Sequence, residues 1–332
     1  MDAFAVQPFE PAQAERWDSF VMERSANGTF LQTRRFLSYH PPERFADASK
    51  MIYQNQELVA VCPAAERREN GRRMFLSHPG STFGGLVVSP ALLRAPKLVS
   101  LIQALDATLQ AEGYQAAQLR PTPDLFCREP DAAMEYALFH EGYQQEMEIA
   151  CALSLNRSYE ELRKAYSYNK RYDLKKAEKQ GLTVAALTTE EDIRAFHALL
   201  CLNLRKFDTV PVHTAEELLD FAFSRLREEI SFLGVRDGAG ALVAGACLFY
   251  FKQTNVLHTQ YLATDTGITA YVPSAVLYDA VIREALRRAC TLLSLGTCTH
   301  DCGHVLNTGL ILNKEGYGAG RALNRIFTKE YQ

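Results

Sequence analysis

The sequence predicts an α/β chain of the mixed α+β kind, divided into two domains of similar plan. Three observations carry this. The 332 residues exceed one domain at roughly 100 to 200 residues each. Turn signals separate β-rich runs from runs with helical period along the whole chain. The order strand, hairpin, helix, strand occurs in both halves, although no residue-level repeat links them. A boundary near residue 150 gives one domain over 1–150 and a second over 151–332.

In chain order, "AERWDSFVMERS" (14–25) predicts a short amphipathic helix with Trp17, Phe20 and Val21 on one face, ended at Asn27 and Gly28. Residues 50–66 hold two β-rich runs around Asn55, Gln56 and Glu57, a hairpin, and Asn70-Gly71 between apolar runs is the strongest hairpin signal in the chain. Residues 95–120 predict a helix closed near Gly113 and then a strand. A Pro-rich connection and a short helix follow over 121–145, and a strand begins at 146.

The second half starts with a basic helix over 158–180 and the strand "GLTVAAL". A helix follows, opened by Thr189 with Glu190 to Asp192 in its first turn, where the helix dipole favours acids. Residues 215–229 predict another helix, and 230–265 three strands joined by "RDGAG" and "KQTN". The helix over 274–290 precedes the strand "TLLSLGT".

Composition excludes several classes. A net charge of −3 and a pI near 6.3 give no global positive field for nucleic acid, so no DNA partner is expected and any RNA contact needs a local patch. The run "ALVAGACLFYF" falls short of the roughly 20 apolar residues of a membrane span, and "MDAFAVQPFEPAQ" lacks the features of a signal peptide. A cytoplasmic chain with no membrane span and reduced, mostly buried cysteines is the expectation.

The basic helix supplies the local patch. At 100° per residue Lys164, Tyr168, Arg171, Lys175 and Lys179 fall within about a quarter-turn, with Leu162, Tyr166, Leu174 and Ala177 broadly opposite. Such a row is either a solvated face or a site for a polyanion such as a nucleotide diphosphate or an RNA backbone.

"NKRYDLKKAEKQGLTV" resembles the basic helix, followed by A-E-K-x-G-hydrophobic, of the Fem-type aminoacyl and peptidyl transferases and related acyltransferases. "LNTGLILNKEGYGA" (306–319) is similar to their closing signature. These proteins belong to the GNAT superfamily of N-acyltransferases. The resemblance implies two GNAT-like domains in tandem, each a mixed, mainly antiparallel central sheet flanked by helices. One departure is present: the GNAT phosphate loop Q/R-x-x-G-x-G/A is replaced by "TDTGITAYVPSAVL" (264–277).

GNAT-type transfer removes a proton from an amine and stabilises a tetrahedral oxyanion. On the strand "VLHTQYLATD", strict alternation puts His258, Gln260 and Leu262 on one face and Thr259, Tyr261 and Ala263 on the other. His258 is the general-base candidate by its intrinsic pKa, or a structural histidine. Tyr261 joins the binding candidates.

By resemblance Lys314 faces the acyl donor or the oxyanion; otherwise it is a surface lysine beside a turn. Tyr317 is either a proton donor to the leaving group or a plug for the sheet end. The backbone N–H groups near Ser274 can receive a phosphate, with Tyr271 closing over it. Arg205 and Lys206 either meet a carboxylate or cap their helix. The small residues of "SHPGSTFGG" (77–85) either let a substrate approach the backbone or form a plain turn.

"CTHDCGH" places Cys298, His300, Cys302 and His304 within seven positions around Asp301. Structural zinc motifs use paired elements separated by a loop, and this spacing lacks them, so no metal is expected. His300 and Asp301 become acid/base or acceptor-contact candidates at a strand end.

The sequence therefore points to an N-acyltransferase acting on a small-molecule or peptide amine, with its site in the second domain and the inter-domain cleft. The donor is acyl-CoA or aminoacyl-tRNA, the latter through the basic helix, with no tightly bound cofactor. The alternative is a degenerate GNAT pair that binds a ligand or protein without turnover.

Overall fold

The computed structural model describes residues 4–41, 43–205 and 208–331. The chain forms two compact units, one of Met1–Glu148, Asp301–His304 and Leu323–Gln332, the other of Ile149–His300 and Val305–Ala322. The second unit thus does not run to the C-terminus as the sequence predicts, because Phe327–Glu330 near the chain's end pair with Ala116–Leu119 of the first.

In the first unit the chain runs β1 (Phe4–Pro8), α1 (Ala14–Ser19), α2 (Arg34–Leu37), β2 (Ala46–Asp47), β3 (Lys50–Gln54), β4 (Glu57–Cys62), β5 (Ala65–Glu69), β6 (Arg72–Leu76), β7 (Val87–Val88), α3 (Ala95–Ala111), β8 (Ala116–Leu119) and α4 (Ala133–His140). Strands β1, β3, β4 and β7 form one antiparallel sheet. Both predicted hairpins form: Asn55 and Gln56 have φ of 49° and 67°, and Asn70 and Gly71 of 52° and 81°. Positive φ at both central residues matches the turn to the twist of its strands. Trp17 is fully buried, and its indole N–H donates to the Gln32 carbonyl at 2.7 Å.

β9 (Gln144–Ser154) leads into the second unit. There the chain runs α5 (Tyr159–Ala165), α6 (Tyr168–Ala177), β10 (Thr183–Ala186), α7 (Glu190–Arg205), α8 (Ala215–Asp220), β11 (Ile230–Arg236), β12 (Leu242–Phe251), β13 (Val256–Thr264), α9 (Pro273–Arg287), β14 (Leu292–Thr297), β15 (Thr299–His300), β16 (Val305–Leu306) and α10 (Thr308–Glu315). The final strand, β17 (Gly320–Glu330), pairs antiparallel with β8 in the first unit.

The sheet order β10-β11-β12-β13-β14-β9 is antiparallel throughout, save for the parallel pair β13 and β14. A parallel pair needs a crossover, and α9 supplies it. Leu277, Val281 and Ile282 on α9 pack in one core with Leu248, Leu257 and Leu293 of the sheet. On β12's other face Gly245 lies against the Phe196 ring of α7, where a Cβ would come within 2.6 Å of that ring.

The predicted single basic helix is two helices. Tyr166 is extended at ψ 141°, and Ser167 caps α6 by accepting from the Lys170 N–H. A second start signal precedes α5, where Ser158 and Glu161 form a reciprocal capping box.

Candidate active site

β13 and β14 share three parallel pairs, ending at His258 and Ser294. β13 continues to Thr264 and β14 to Thr297 with no further pair between them. Irregularities on both strands accompany the parting. β14 bulges against β9 between Ser294 and Gly296, where Gly296 takes φ 76°, and β13 bulges opposite Cys247 and Leu248. Bulges increase local twist and end regular pairing. Past His258 and Ser294 the two strands therefore diverge.

The bulge also re-aims β13. Phe249 pairs with His258, Leu248 with Thr259 and Cys247 with Tyr261, leaving Gln260 as the extra residue. Tyr261 therefore shares the face of His258, and Leu262 falls on the face of Thr259, against the α9 core. This corrects the strict alternation expected from the sequence.

His258 is buried, its Nδ1 2.9 Å from the Ser294 hydroxyl. Burial and the nearby Lys314 charge lower its pKa to about 4, so the ring is neutral near pH 7. Its basicity is thus weak for a general base, against the sequence expectation.

Lys314 is buried as well, not a surface lysine. Its ammonium donates to the Gly296 carbonyl at 3.0 Å and the Thr297 carbonyl at 2.8 Å. These two bonds hold the end of β14. Burial lowers its pKa.

Tyr317 is buried, stacked on Tyr278 at 4.7 Å and edge-on to Tyr166 at 5.2 Å. It plugs the core, and burial raises its pKa. Ring packing of this kind favours a structural role over proton donation.

The Cys/His motif does not converge. Cys298 is buried with its sulfur 3.6 Å from that of Cys151, while His300 is exposed on β15. Asp301 and Cys302 take φ of 50° and 49°, and His304 bonds Glu146 at 3.0 Å. Among the described residues no three His, Cys, Asp or Glu side chains gather as a metal site. His300 and Asp301 are solvent-facing residues of a short hairpin.

On the basic helices, Leu162, Tyr166, Leu174 and Ala177 are buried and Lys164, Arg171, Lys175 and Lys179 are exposed. Arg171 is engaged with the Tyr166 and Lys164 carbonyls across the helix break. Tyr168 and Tyr172 are 73% and 57% exposed and stack with centroids 6.4 Å apart.

Ser274 lies in the first turn of α9, and no side chain caps the helix there. Tyr271, half-buried nearby, has its pKa raised by burial and by the charges of Asp237 and Asp265. Arg205 is exposed at the end of α7, and Lys206 lies outside the described residues.

In the first unit "SHPGSTFGG" is a tight turn. Ser77 Oγ accepts from the Gly85 and Arg120 N–H groups at 2.7 and 3.0 Å. A Cβ on Gly84 would lie 2.8 Å from the His78 nitrogen, and Gly85 has φ 67°, so the glycines admit backbone rather than substrate. His78 is buried and its pKa falls to about 3. It lines a cavity of about 1300 Å³ with Arg34, Asp47, Lys50, Glu66 and Arg73. These charges pair among themselves, with Lys50 held by Glu112.

The sequence reading missed His213, immediately before the α8 capping box of Thr214 and Glu217. His213 is buried and its Nδ1 lies 2.6 Å from the Tyr261 hydroxyl. His197 Nε2 on α7 meets the His213 carbonyl at 3.2 Å, with the Cys201 sulfur 3.7 Å from His197 Nδ1. The available signal was T-A-E-E, a helix start that fixes the residue before it.

Residues 164–303 match the family of acetyltransferase (GNAT) domains. No curated protein matches the chain by sequence. Among solved structures it is similar to FemX, at 12% identity and a TM-score of 0.69 over 97% of this chain and 96% of that one. It is also similar to L-PGS from Bacillus licheniformis, at 10% and 0.61 over 96% and 91%. A tandem GNAT protein from the clavulanic acid biosynthesis pathway is similar at 12% and 0.59 over 99% and 98%. At these identities the likeness is one of fold. Residues 164–303 thus match a GNAT acetyltransferase domain, and the chain as a whole shares the fold of FemX and of the tandem GNAT protein.

Proposed function

We propose that the protein is an N-acyltransferase that joins an acyl or aminoacyl group to an amine where β13 and β14 part. The supporting observation is the parting of β13 and β14 after the His258 and Ser294 pair. A donor seated in that opening has its reactive carbonyl held at the strand divergence. Lys314 keeps the end of β14 in place, and the neutral His258 orients Ser294 beside the opening.

Two donors fit: an acyl-CoA thioester and an aminoacyl-tRNA ester. Both carry phosphates and an adenine base, for which the exposed Lys175 and Lys179 and the stacked Tyr168 and Tyr172 are suited. The acceptor is a small-molecule or peptide amine, and a cytoplasmic setting suits either donor.

A binding role without turnover is favoured by one observation: His258, Lys314 and Tyr317 are all engaged in packing or hydrogen bonding. Thiol release from acetyl- and longer acyl-CoAs, and amide formation from aminoacyl-tRNA, each with a panel of amines, separates the two. Amine-dependent transfer from one donor supports the enzyme. No transfer, with a ligand that raises the melting temperature, leaves the binding role.

A further inference from the structure

We propose that Tyr261 and His213 are the proton-accepting pair of this site, Tyr261 as the catalytic group and His213 as the positioning residue behind it. The inference rests on the acyl-transfer reading. It stands on three features of the second unit. The β13 bulge puts Tyr261 on the face of His258, about 7 Å further along at ~3.4 Å per paired residue. Its hydroxyl meets His213 Nδ1 at 2.6 Å. His213 is itself fixed, by its place before the α8 capping box and by the Phe221 ring 5.2 Å away.

The position suits an acceptor amine. Tyr261 is half-buried, past the last β13–β14 pair, whereas His213 is buried behind it. An imidazole that accepts at Nδ1 polarises the phenol and gives its proton a destination. Tyr261 from β13 meets the His213 ring, His197 from α7 meets the His213 carbonyl with Cys201 beside it, and Glu217 of α8 caps the helix one residue after His213.

In the step, the amine nitrogen attacks the donor carbonyl and a C–N bond forms. The amine proton passes to the Tyr261 oxygen while the phenol's own proton moves to His213 Nδ1. The C–S bond of a thioester, or the C–O bond of an ester, then breaks. The leaving thiolate or alkoxide recovers the proton from the imidazolium through water, so the products are an amide and a neutral thiol or alcohol.

The test uses the full chain with acetyl-CoA, longer acyl-CoAs or aminoacyl-tRNA, and the amine panel. Tyr261→Phe keeps the ring and its edge contact with His213. His213→Gln keeps a hydrogen-bond acceptor for the phenol but no proton acceptor. Both variants are expected to lower kcat by about 100-fold with KM changed less than about threefold. Equal melting temperatures show that the fold is kept. Wild-type transfer with an unchanged kcat in both variants overturns the pair alone. His213→Gln equal to wild type while His213→Ala is unstable assigns His213 to structure and overturns its role. A wild-type chain inactive with every donor overturns the transfer reading and the pair together.

Discussion

His258 Nδ1 lies 2.9 Å from the Ser294 hydroxyl, and these two residues are the last parallel pair between β13 and β14. The contact marks where the sheet of the second unit opens. It also ties a neutral imidazole to the point of divergence, so its ionisation has a structural cost.

That cost gives a pH dependence. His258 has a pKa of about 4 and His78 of about 3, against 6.5 for a free imidazole. Where the folded value is the lower one, the unfolded chain binds more protons between the two, so stability rises with pH across that interval. Stability in the second unit falls as pH drops from 6.5 to about 4, and in the first from 6.5 to about 3. Each group contributes a slope of up to about 1.4 kcal/mol per pH unit. Urea unfolding of His258→Asn and His78→Asn across this range is expected to show a shallower acid loss, each in its own unit.

Lys314→Met is expected to destabilise the second unit. It leaves the carbonyls of Gly296 and Thr297 without their ammonium partner. A buried acceptor left unmet costs about 1 to 3 kcal/mol. Denaturant midpoints measure this directly, and a variant as stable as wild type with normal β14 protection contradicts the strand-holding role.

Gly303→Ala and Gly71→Ala separate contact from conformation. Both glycines have positive φ, 100° and 81°. A Cβ at 303 would lie 1.8 Å from the Met147 carbonyl oxygen, while at 71 nothing lies within 4 Å. The change at 71 is expected to cost about 1 kcal/mol, that of a left-handed alanine. The change at 303 must move backbone and is expected to cost more than twice as much by thermal melting.

The basic helices give a contrast in charge. Arg171→Ala removes a guanidinium that bonds the Tyr166 carbonyl, and is expected to lower stability by about 1 kcal/mol. Lys175→Glu with Lys179→Glu is expected to leave stability within about 0.5 kcal/mol, since both are exposed. If the donor is tRNA, the doubly substituted chain binds it more weakly, with a salt slope lower by about one per lysine lost. Filter binding across a salt series reads this out.

The legible parts of the fold were local ones. Asn70-Gly71 was readable because those residue types meet the turn's need for positive φ most readily, and Trp17 because an apolar helix face must be buried. The break at Ser167 was obscured by the periodicity of the cationic face, which runs on through the cap. The site was less readable because it is made by long-range pairing. The extra residue Gln260 depends on how β12 meets β13, and without it Tyr261 sits on the wrong face. Lys314 looked like a turn residue because the carbonyls that bury it belong to β14. His213 meets Tyr261 across 48 positions, a contact no spacing rule supplies.

The most direct measurement is hydrogen exchange of the whole chain with and without acetyl-CoA, a longer acyl-CoA and aminoacyl-tRNA. A donor seated at the strand divergence slows exchange at the amides of residues 259–264 and 295–297. Slowing there with the donor that also supports amine-dependent transfer is the expected result. Transfer with unchanged exchange in both segments, or slowing confined to residues 4–148, contradicts a reaction centre between β13 and β14.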